Sequence, residues 1–256
     1  MGTTKSLRQR SLANPPIVEM VLDIDCDLPA SFDLHAAAPA ARAAFAEQYP
    51  VETKQYAEGF LIEPREDGTQ VSRSEREMQA YRFHREDRTQ LVQVRNAGYS
   101  FNRLAPYQGF DGLSPEIVRT WNIYRTRFLP IAIRRTSLRF INRILVPHED
   151  QRVELQHYFR TGPRLATKGL IGTGFLLQNT ATDAETKFDV VTVLASHAFA
   201  SLTHFAFLLD ITVASDVSIS VDEDAPLLWQ TLVRLRELKN EVFSNTVTKK
   251  CLQLFR

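Results

Sequence analysis

The sequence is poor in cysteine and has almost no excess of either charge, and both shortages exclude classes of protein. It has two cysteines in 256 residues, Cys26 and Cys251, without a Cys-x-x-Cys spacing. They can build neither a disulfide framework nor a zinc ribbon, so we expect a reducing, cytoplasmic location. Lys and Arg together exceed Asp and Glu by only one. This excludes the net charge of a tail-driven nucleic-acid or membrane binder, and any such binding must come from a local patch.

Long apolar runs are also missing. No stretch of the chain approaches the roughly 18 apolar residues that a membrane-spanning helix needs. The basic and polar residues 1–10 lead into no apolar run of the kind that a secretory signal contains. We therefore expect no membrane contact, and we interpret residues 1–13 as a mobile basic arm.

Motifs for catalysis, metals and nucleotides are absent as well. The chain has no Gly-x-Ser-x-Gly elbow, no His-Glu-x-x-His pair and no Walker loop. The six histidines are scattered, and the closest two, His197 and His204, are seven positions apart. Metal ligands on one face of a helix or strand are spaced more closely. The sequence therefore predicts no catalytic residue, no metal and no cofactor, and it favours a protein that is not an enzyme.

The pattern of strand and helix signals recurs twice along the chain. The first half shows an alternating strand at 17–25, an Ala-rich helix at 31–48, β-prone runs between 55 and 103, and a helix that begins at Ser114-Pro115. The second half shows a strand at 133–146, a helical stretch at 151–159, further β-prone runs, and an amphipathic helix at 226–246. This predicts an α+β fold of two similar halves, each in the order strand, helix, several strands, helix. We expect mainly antiparallel sheets packed against helices, with lobes at 14–130 and 131–256 forming one closely packed unit.

One predicted strand carries the densest positive charge in the chain. Between positions 119 and 160 there are nine arginines and three acidic residues. Because successive side chains of a strand point to opposite faces, Arg135, Arg139 and Arg143 share one face. The planar guanidinium suits carboxylates and phosphates. These three residues, together with Arg103, are therefore our candidate contacts for an anion or a nucleic acid.

The same arginines also allow a structural interpretation. Arg103, Arg139 and Arg143 are placed to pair with carboxylates of the first strand, as charged cross-strand partners do. We predict a buried ion pair between Glu19 and Arg143 and leave Arg139 open between the two interpretations. If that pair forms, Arg143→Ala should lower the free energy of unfolding by roughly 3–5 kcal/mol, because a buried acid loses its partner.

The C-terminal residues indicate a surface for association. Cys251, Leu252, Leu254 and Phe255 follow the amphipathic closing helix. These apolar side chains would be exposed unless they dock on this chain or on another. We therefore predict a protein partner or self-association.

Three segments carry a resemblance to a known family: Asn14–Glu19, Phe101–Tyr107 and Leu138–Ile144. In this order and at these separations they resemble the TIGR04255 family, which is sporadically distributed among bacteria and archaea. The similarity covers nearly the whole chain, including the closing helix around Leu238–Phe243. The family has no established activity. The resemblance therefore implies a full-length domain and a patchy, mobile-element or defence-associated distribution, and it implies no catalytic residue.

Three functions compete at this point. The first is a non-enzymatic interaction or accessory protein of a mobile-element or phage-defence locus, because catalytic motifs are absent. The second is a nucleic-acid-binding protein that uses the Arg-rich strand and the basic arm, with binding that falls steeply with salt. The third is an enzyme whose active site is dispersed in a cleft between the two lobes.

Overall fold

A computed structural model describes residues 12–57, 60–65, 68–73, 76–148, 152–167, 169–170, 172–201, 203–221 and 224–256. Nearly all of the predicted basic arm, residues 1–13, lies outside these ranges. The strands described there are β1 (Ile17–Asp27), β2 (Val51–Ala57), β3 (Phe60–Arg65), β4 (Gly68–Arg73), β5 (Glu77–His84), β6 (Gln90–Arg95), β7 (Gly98–Leu104), β8 (Ala132–Pro147), β9 (Leu176–Thr182), β10 (Asp189–Ser201), β11 (His204–Ser215) and β12 (Ile219–Ser220). The helices are α1 (Ala38–Phe45), α2 (Phe110–Phe128), α3 (Asp224–Thr246) and α4 (Lys249–Gln253), and a short 3₁₀ turn spans Leu155–His157.

Ten of these strands form one antiparallel sheet. Its order is β2-β5-β6-β7-β1-β8-β11-β10-β9, and the short β12 pairs with the start of β8. Strands β3 and β4 form a separate two-stranded hairpin. The predicted α+β class with mainly antiparallel pairing is confirmed.

In each half of the chain, the last long strand before the main helix pairs with the first strand of that half. In the first half β7 pairs with β1 and is followed by α2, and in the second half β11 pairs with β8 and α3 comes after it. The two first strands, β1 and β8, also pair with each other, so both halves share a continuous sheet. The predicted lobe boundary at 130/131 falls between α2 and β8. The division into two lobes stays a prediction.

The two faces of the sheet differ in what covers them. The helices pack on the face that we call the helix face, where Met20, Leu22 and Ile24 of β1 are fully buried. Alternate residues of each strand point to the opposite side, which we call the open face, and on β1 these include Glu19 and Asp23, which are only half-buried. Apolar burial on the helix face is the main source of stability for such a layer of helices on a sheet.

Two helices begin at other residues than predicted. The first begins at Ala38, with a proline in its first turn, and Ser31 does not cap it. The second begins at Phe110, so that Pro115 lies inside it. Proline cannot donate the backbone hydrogen bond that the carbonyl of Asp111 would receive, and the hydroxyl of Ser114 donates to that carbonyl instead, at 2.9 Å. The side chain that looked like a cap compensates for the proline.

Two other predicted elements are smaller than expected. The helical stretch at 151–159 contains only the 3₁₀ turn in its described part, and Phe159 forms a bridge with Val247. The β-prone run at 90–103 is split into β6 and β7 by a turn at residues 96–97, and Gly98, which begins β7, has a φ of +137°. A Cβ at Gly98 would lie 2.3 Å from the carbonyl oxygen of Ile24, so only glycine lets β1 approach the start of β7 this closely.

The C-terminal residues pack mainly on their own chain. Cys251 is completely buried and Phe255 is 5% exposed. The carbonyl oxygen of Phe255 also accepts a hydrogen bond from the backbone N–H of Asn14 at 3.1 Å. Of the apolar residues that indicated self-association, Leu254 is the most exposed, at 36%. The end of the chain therefore gives little support to that prediction.

Candidate interaction site on the open face of the sheet

The central strands β1 and β8 supply many of the charges of the open face. Their register places Val21 opposite Arg139 and Asp25 opposite Arg135. Residues 135, 139 and 143 alternate with buried residues such as Phe140, as the sequence predicted. The three arginines therefore share the open face with the carboxylates of β1.

Arg139 is fixed by a carboxylate of the neighbouring strand β11. Its Nη2 lies 2.6 Å from Oδ2 of Asp210, and its Nε lies 3.0 Å from Oδ1 of the same residue. This hydrogen bond raises the pKa of Arg139. The side chain of Arg139 is 48% exposed and that of Asp210 is 17% exposed. The guanidinium is thus held in place with its charge compensated, and its outer surface remains accessible.

The other arginines at the centre of the open face are compensated in the same way. Arg135 forms an ion pair with Asp216, and its Nη1 lies 3.6 Å from Oδ2 of Asp189. Nη2 of Arg95, on β6, lies 2.6 Å from Oδ1 of Asp25. Since each of these cations already faces a carboxylate, the surface has a mixed charge and does not resemble a basic groove.

Arg143 is the exception, and its predicted ion pair with Glu19 is not formed. The register places Glu19 opposite Ile141, with an irregularity between Ile17 and Glu19. Oε1 of Glu19 accepts a hydrogen bond from Nδ2 of Asn102 at 2.7 Å. Arg143 is exposed, and its side chain has no hydrogen bond or ion pair within the described part of the chain. Strand alternation gave its face correctly but could not give its partner on the neighbouring strand.

Arg103 does not join the other predicted anion contacts. It lies on β7 opposite Met20, which places it on the helix face, and it is only 7% exposed. Its Nη1 donates to Oγ1 of Thr89 at 2.9 Å, and its Nη2 donates to the carbonyl oxygen of Pro106 at 3.1 Å. The guanidinium therefore holds the loop after β7 and is not available to a ligand on the open face.

A row of hydrogen bonds crosses four strands of the open face. Nε of Arg82 on β5 donates to Oε1 of Gln93 on β6 at 3.0 Å, and Nε2 of Gln93 donates to Oδ1 of Asn102 on β7 at 2.8 Å. Nδ2 of Asn102 in turn donates to Oε1 of Glu19 on β1 at 2.7 Å. Gln93 and Asn102 are each 6% exposed. The row gives these polar groups one fixed orientation, and burial lowers the pKa of Arg82.

Apolar side chains lie between the charged ones. Val21, Ile141, Leu208 and Val193 belong to four different strands and are all half-buried on the open face. Val193 is opposite Asp210, and Leu208 is opposite Arg143. Such a mixture is compatible with a non-obligate protein–protein interface, whose total area is about as apolar as the rest of a protein surface.

The helix side contains a buried lysine that the sequence pattern concealed. Lys239 occupies a position of α3 between Leu235 and Val242 in the buried stripe and is 8% exposed. Its Nζ lies 4.0 Å from the centre of the Phe140 ring. Burial, together with the nearby Arg236, lowers the pKa of Lys239 to about 7. A charged residue within an apolar stripe is the signal that would have found it.

A half-buried cluster surrounds Glu116 of α2. Its Oε1 accepts hydrogen bonds from the hydroxyl of Tyr49 at 2.5 Å, from Nη2 of Arg119 at 2.8 Å and from Nη2 of Arg85 at 3.1 Å. These bonds, above all that from Arg119, lower the pKa of Glu116 to about 2. Because donors of the protein itself occupy the acceptor positions of this carboxylate, the cluster fits a structural role.

Nothing in the described residues assembles a metal site or a reactive thiol. Those residues contain no group of three or more His, Cys, Asp or Glu side chains that could hold a metal ion. Cys26 and Cys251 are unpaired and buried, and burial raises the pKa of each thiol to about 12. A thiol with such a pKa is not a nucleophile at neutral pH.

Two surface depressions lie away from the junction of the two halves. One, of about 720 Å³, is lined by residues between Glu47 and Asp87 of the first half. The other, of about 430 Å³, is lined by residues between Arg160 and Thr246 of the second half. Neither is the cleft between lobes that a dispersed active site would need.

Comparisons of the chain with protein-family models, curated proteins and solved structures found no match. The resemblance to the TIGR04255 family therefore stays a prediction. None of the helices in the described ranges is both long and apolar enough to cross a membrane.

Proposed function

We propose that this chain is a non-enzymatic interaction protein, acting in the cytoplasm, that binds a protein partner through the open face of its sheet. The observation that carries the proposal is the mixture of half-exposed aliphatic side chains and pre-paired charges at the centre of that face. Strands from both halves contribute to it. The mobile-element or phage-defence setting that the resemblance implies is part of the same proposal.

Pre-paired charges favour a protein over a polyanion as the ligand. Arg139 donates three hydrogen bonds to Asp210. A phosphate that bound Arg139 would have to displace the carboxylate of Asp210 or lie next to it, and two anions repel each other. A protein surface of alternating charge can add contacts to such pairs without breaking them. The fixed orientation of the half-exposed Arg139 guanidinium also lowers the entropy that binding would cost.

The nucleic-acid alternative rests on Arg143, which has an exposed guanidinium. Among the described residues of the open-face strands, this one unpaired arginine supplies one phosphate contact, so the open face by itself would give binding a shallow salt dependence. The basic arm, the other part of the nucleic-acid hypothesis, lies almost entirely outside the described residues. The described residues of the central open-face strands also present no aromatic side chain on which bases could stack. We therefore treat nucleic acid as an outcome of the test.

Photo-crosslinking at Ile141 tests the proposal. A benzophenone amino acid replaces Ile141 at the centre of the open face, and in a matched control it replaces Val118, which is 44% exposed on α2. After irradiation of the native cells, we expect a crosslinked product from position 141 that protease destroys and nuclease leaves unchanged. Position 118 should not give this product.

Two results would contradict the proposal. The first is a lack of any protein product at position 141 when the chain is folded and expressed at its normal level. The second is a product at position 141 that nuclease removes, which would favour the nucleic-acid alternative. Equal products from positions 141 and 118 would show non-specific capture and would also count against the open face.

A further inference from the structure

The two edges of the large sheet differ in their protection against pairing with another strand. The edge strand β2 contains Glu52 and Lys54, and its pairing with β5 has an irregularity between Gln55 and Tyr56. The guanidinium of Arg42 on α1 also pairs with Glu52 at 2.6 Å. Charges and bulges are the devices by which natural sheets prevent edge-to-edge association.

The opposite edge strand, β9, has none of these devices. Its seven residues, Leu176–Thr182, include no charged residue and no proline. It pairs with β10 without a register irregularity. All of its residues except Leu177 are exposed, and Leu176 is 71% exposed. One side of this strand therefore presents backbone N–H and C=O groups to solvent along its whole length.

We propose that β9 is a homodimerisation edge, at which β9 of a second copy of this chain pairs antiparallel and continues the sheet across a twofold axis. An antiparallel pair of identical strands is symmetric about an axis through its midpoint. All seven residues pair only when that midpoint is Asn179, which then faces Asn179 of the second copy. A carboxamide has both donor and acceptor, so two of them are complementary to each other.

The surroundings of β9 also suit a second copy. The twofold axis is perpendicular to the sheet, so the helix faces of both copies lie on the same side. The depression of about 430 Å³ beside β9 is lined by Asn179, by Arg160 and by Glu241 of α3. Two such depressions meet at the proposed junction. Because each contains both a cation and an anion, opposite charges of the two copies can face each other.

The size of the contact sets its expected strength. Two seven-residue strands bury less than the roughly 800 Å² per partner of a standard interface. We therefore expect a dimer that dissociates on dilution, with a Kd on the order of micromolar. This edge is separate from the open face, so the inference does not depend on the proposed function.

Sedimentation velocity of the purified full chain, from about 1 to about 300 µM, tests the inference. We expect a monomer–dimer equilibrium. Asn179→Lys places two ammonium groups opposite each other and should weaken the dimer at least about 10-fold. The matched control is Gln55→Lys on the other edge strand, which should leave the equilibrium unchanged.

A cysteine at the same position identifies the partner and the register. Under mild oxidation Asn179→Cys should form a reducible covalent dimer, while Gln55→Cys should not; the native Cys26 and Cys251 are buried. A wild-type chain that stays monomeric at every concentration overturns the inference. So does a dimer that Asn179→Lys leaves intact while the melting temperature is unchanged, or equal crosslinking through both edges.

Discussion

The two faces of the sheet use the same kinds of residue in opposite ways. On the helix side, Lys239 is buried and Glu116 is half-buried, and their surroundings change their pKa values strongly. On the open face, Arg139 and Asp210 form a close ion pair that solvent still reaches. A charge on the helix face therefore contributes to or opposes stability, whereas a charge on the open face mainly decides what the surface can bind.

This difference concerns environment, because the strands themselves are shared. Leu138 and Arg139 are neighbours in β8, yet Leu138 is fully buried and the side chain of Arg139 is 48% exposed. Substitutions on the helix face should therefore change the free energy of unfolding. Substitutions on the open face should change it little and should act on partner binding.

The largest effect is expected for Glu116→Gln on the helix side. We expect a loss of roughly 2 kcal/mol at pH 7, since the variant removes the charge that Arg119 and Arg85 bind while water still screens part of the site. The folded-state pKa of Glu116 is lowered from 4.5 to about 2. The contribution of the carboxylate to the free energy of unfolding is therefore complete above pH 4.5, and it is lost as the pH falls toward 2. Chemical denaturation at several pH values measures it.

The control for this variant is Glu86→Gln, an exposed residue that should change the unfolding free energy by less than about 0.5 kcal/mol. A loss for Glu116→Gln that is equal at pH 7 and at pH 2.5 would contradict the assigned pKa.

Lys239→Met should stabilise the protein by about 1.5 kcal/mol at pH 7. Methionine fills the same space without a charge to desolvate, although the contact with the ring of Phe140 is lost. The folded-state pKa of Lys239 is lowered from 10.5 to about 7. Between pH 7 and pH 10.5 the lysine is protonated in the unfolded chain but mostly neutral in the folded one. The free energy of unfolding of the wild type therefore rises with pH in this range, and Lys239→Met lacks this rise.

The difference in unfolding free energy between variant and wild type, followed from pH 7 to 10.5, isolates this effect from the other alkaline groups. Lys249→Met, at an exposed position of α4, is the control and should give no such curve. A destabilised Lys239→Met protein at pH 7 would show that the ammonium is well accommodated.

Arg139→Ala on the open face should cost only about 1 kcal/mol, because Asp210 loses its partner but can still be reached by water. A double-mutant cycle with Asp210→Asn measures the coupling between the two side chains. The expected coupling is on the order of 0.5 kcal/mol. A coupling several times larger would mean that the open face is covered and desolvated in the free protein.

Arg143→Ala should have the smallest effect, less than about 0.5 kcal/mol, because the exposed guanidinium has no partner among the described residues. This replaces the large loss that the sequence alone led us to expect. A melting temperature indistinguishable from that of the wild type is the expected readout, and a drop of many degrees would restore the structural interpretation.

The periodicity of the sequence predicted what depends on one strand or one helix. The alternation from Arg135 to Arg143 and the long closing helix are local patterns, and both are present in the structure. Helix ends were less predictable, because Ser114 could serve equally as a cap or as a substitute donor beside Pro115.

Partners across strands could not be predicted, because they depend on register. Glu19 bonds to Asn102, 83 positions away, and Arg139 bonds to Asp210, 71 positions away. No local pattern relates such positions. The face on which Arg103 lies could not be predicted either, because it depends on which residue of the neighbouring strand is opposite it, and that residue is Met20.

The central claim is that the open face binds a protein partner, and comparative affinity capture from native cells tests it most directly. The bait chains are wild type, Ile141→Lys and the control Val118→Lys; lysine is used at position 141 because the carboxylates of Glu19 and Asp210 lie opposite it. All three should have similar melting temperatures. We expect the same enriched protein with wild type and Val118→Lys, and a loss of at least about 10-fold with Ile141→Lys. Equal enrichment by all three baits would contradict the account.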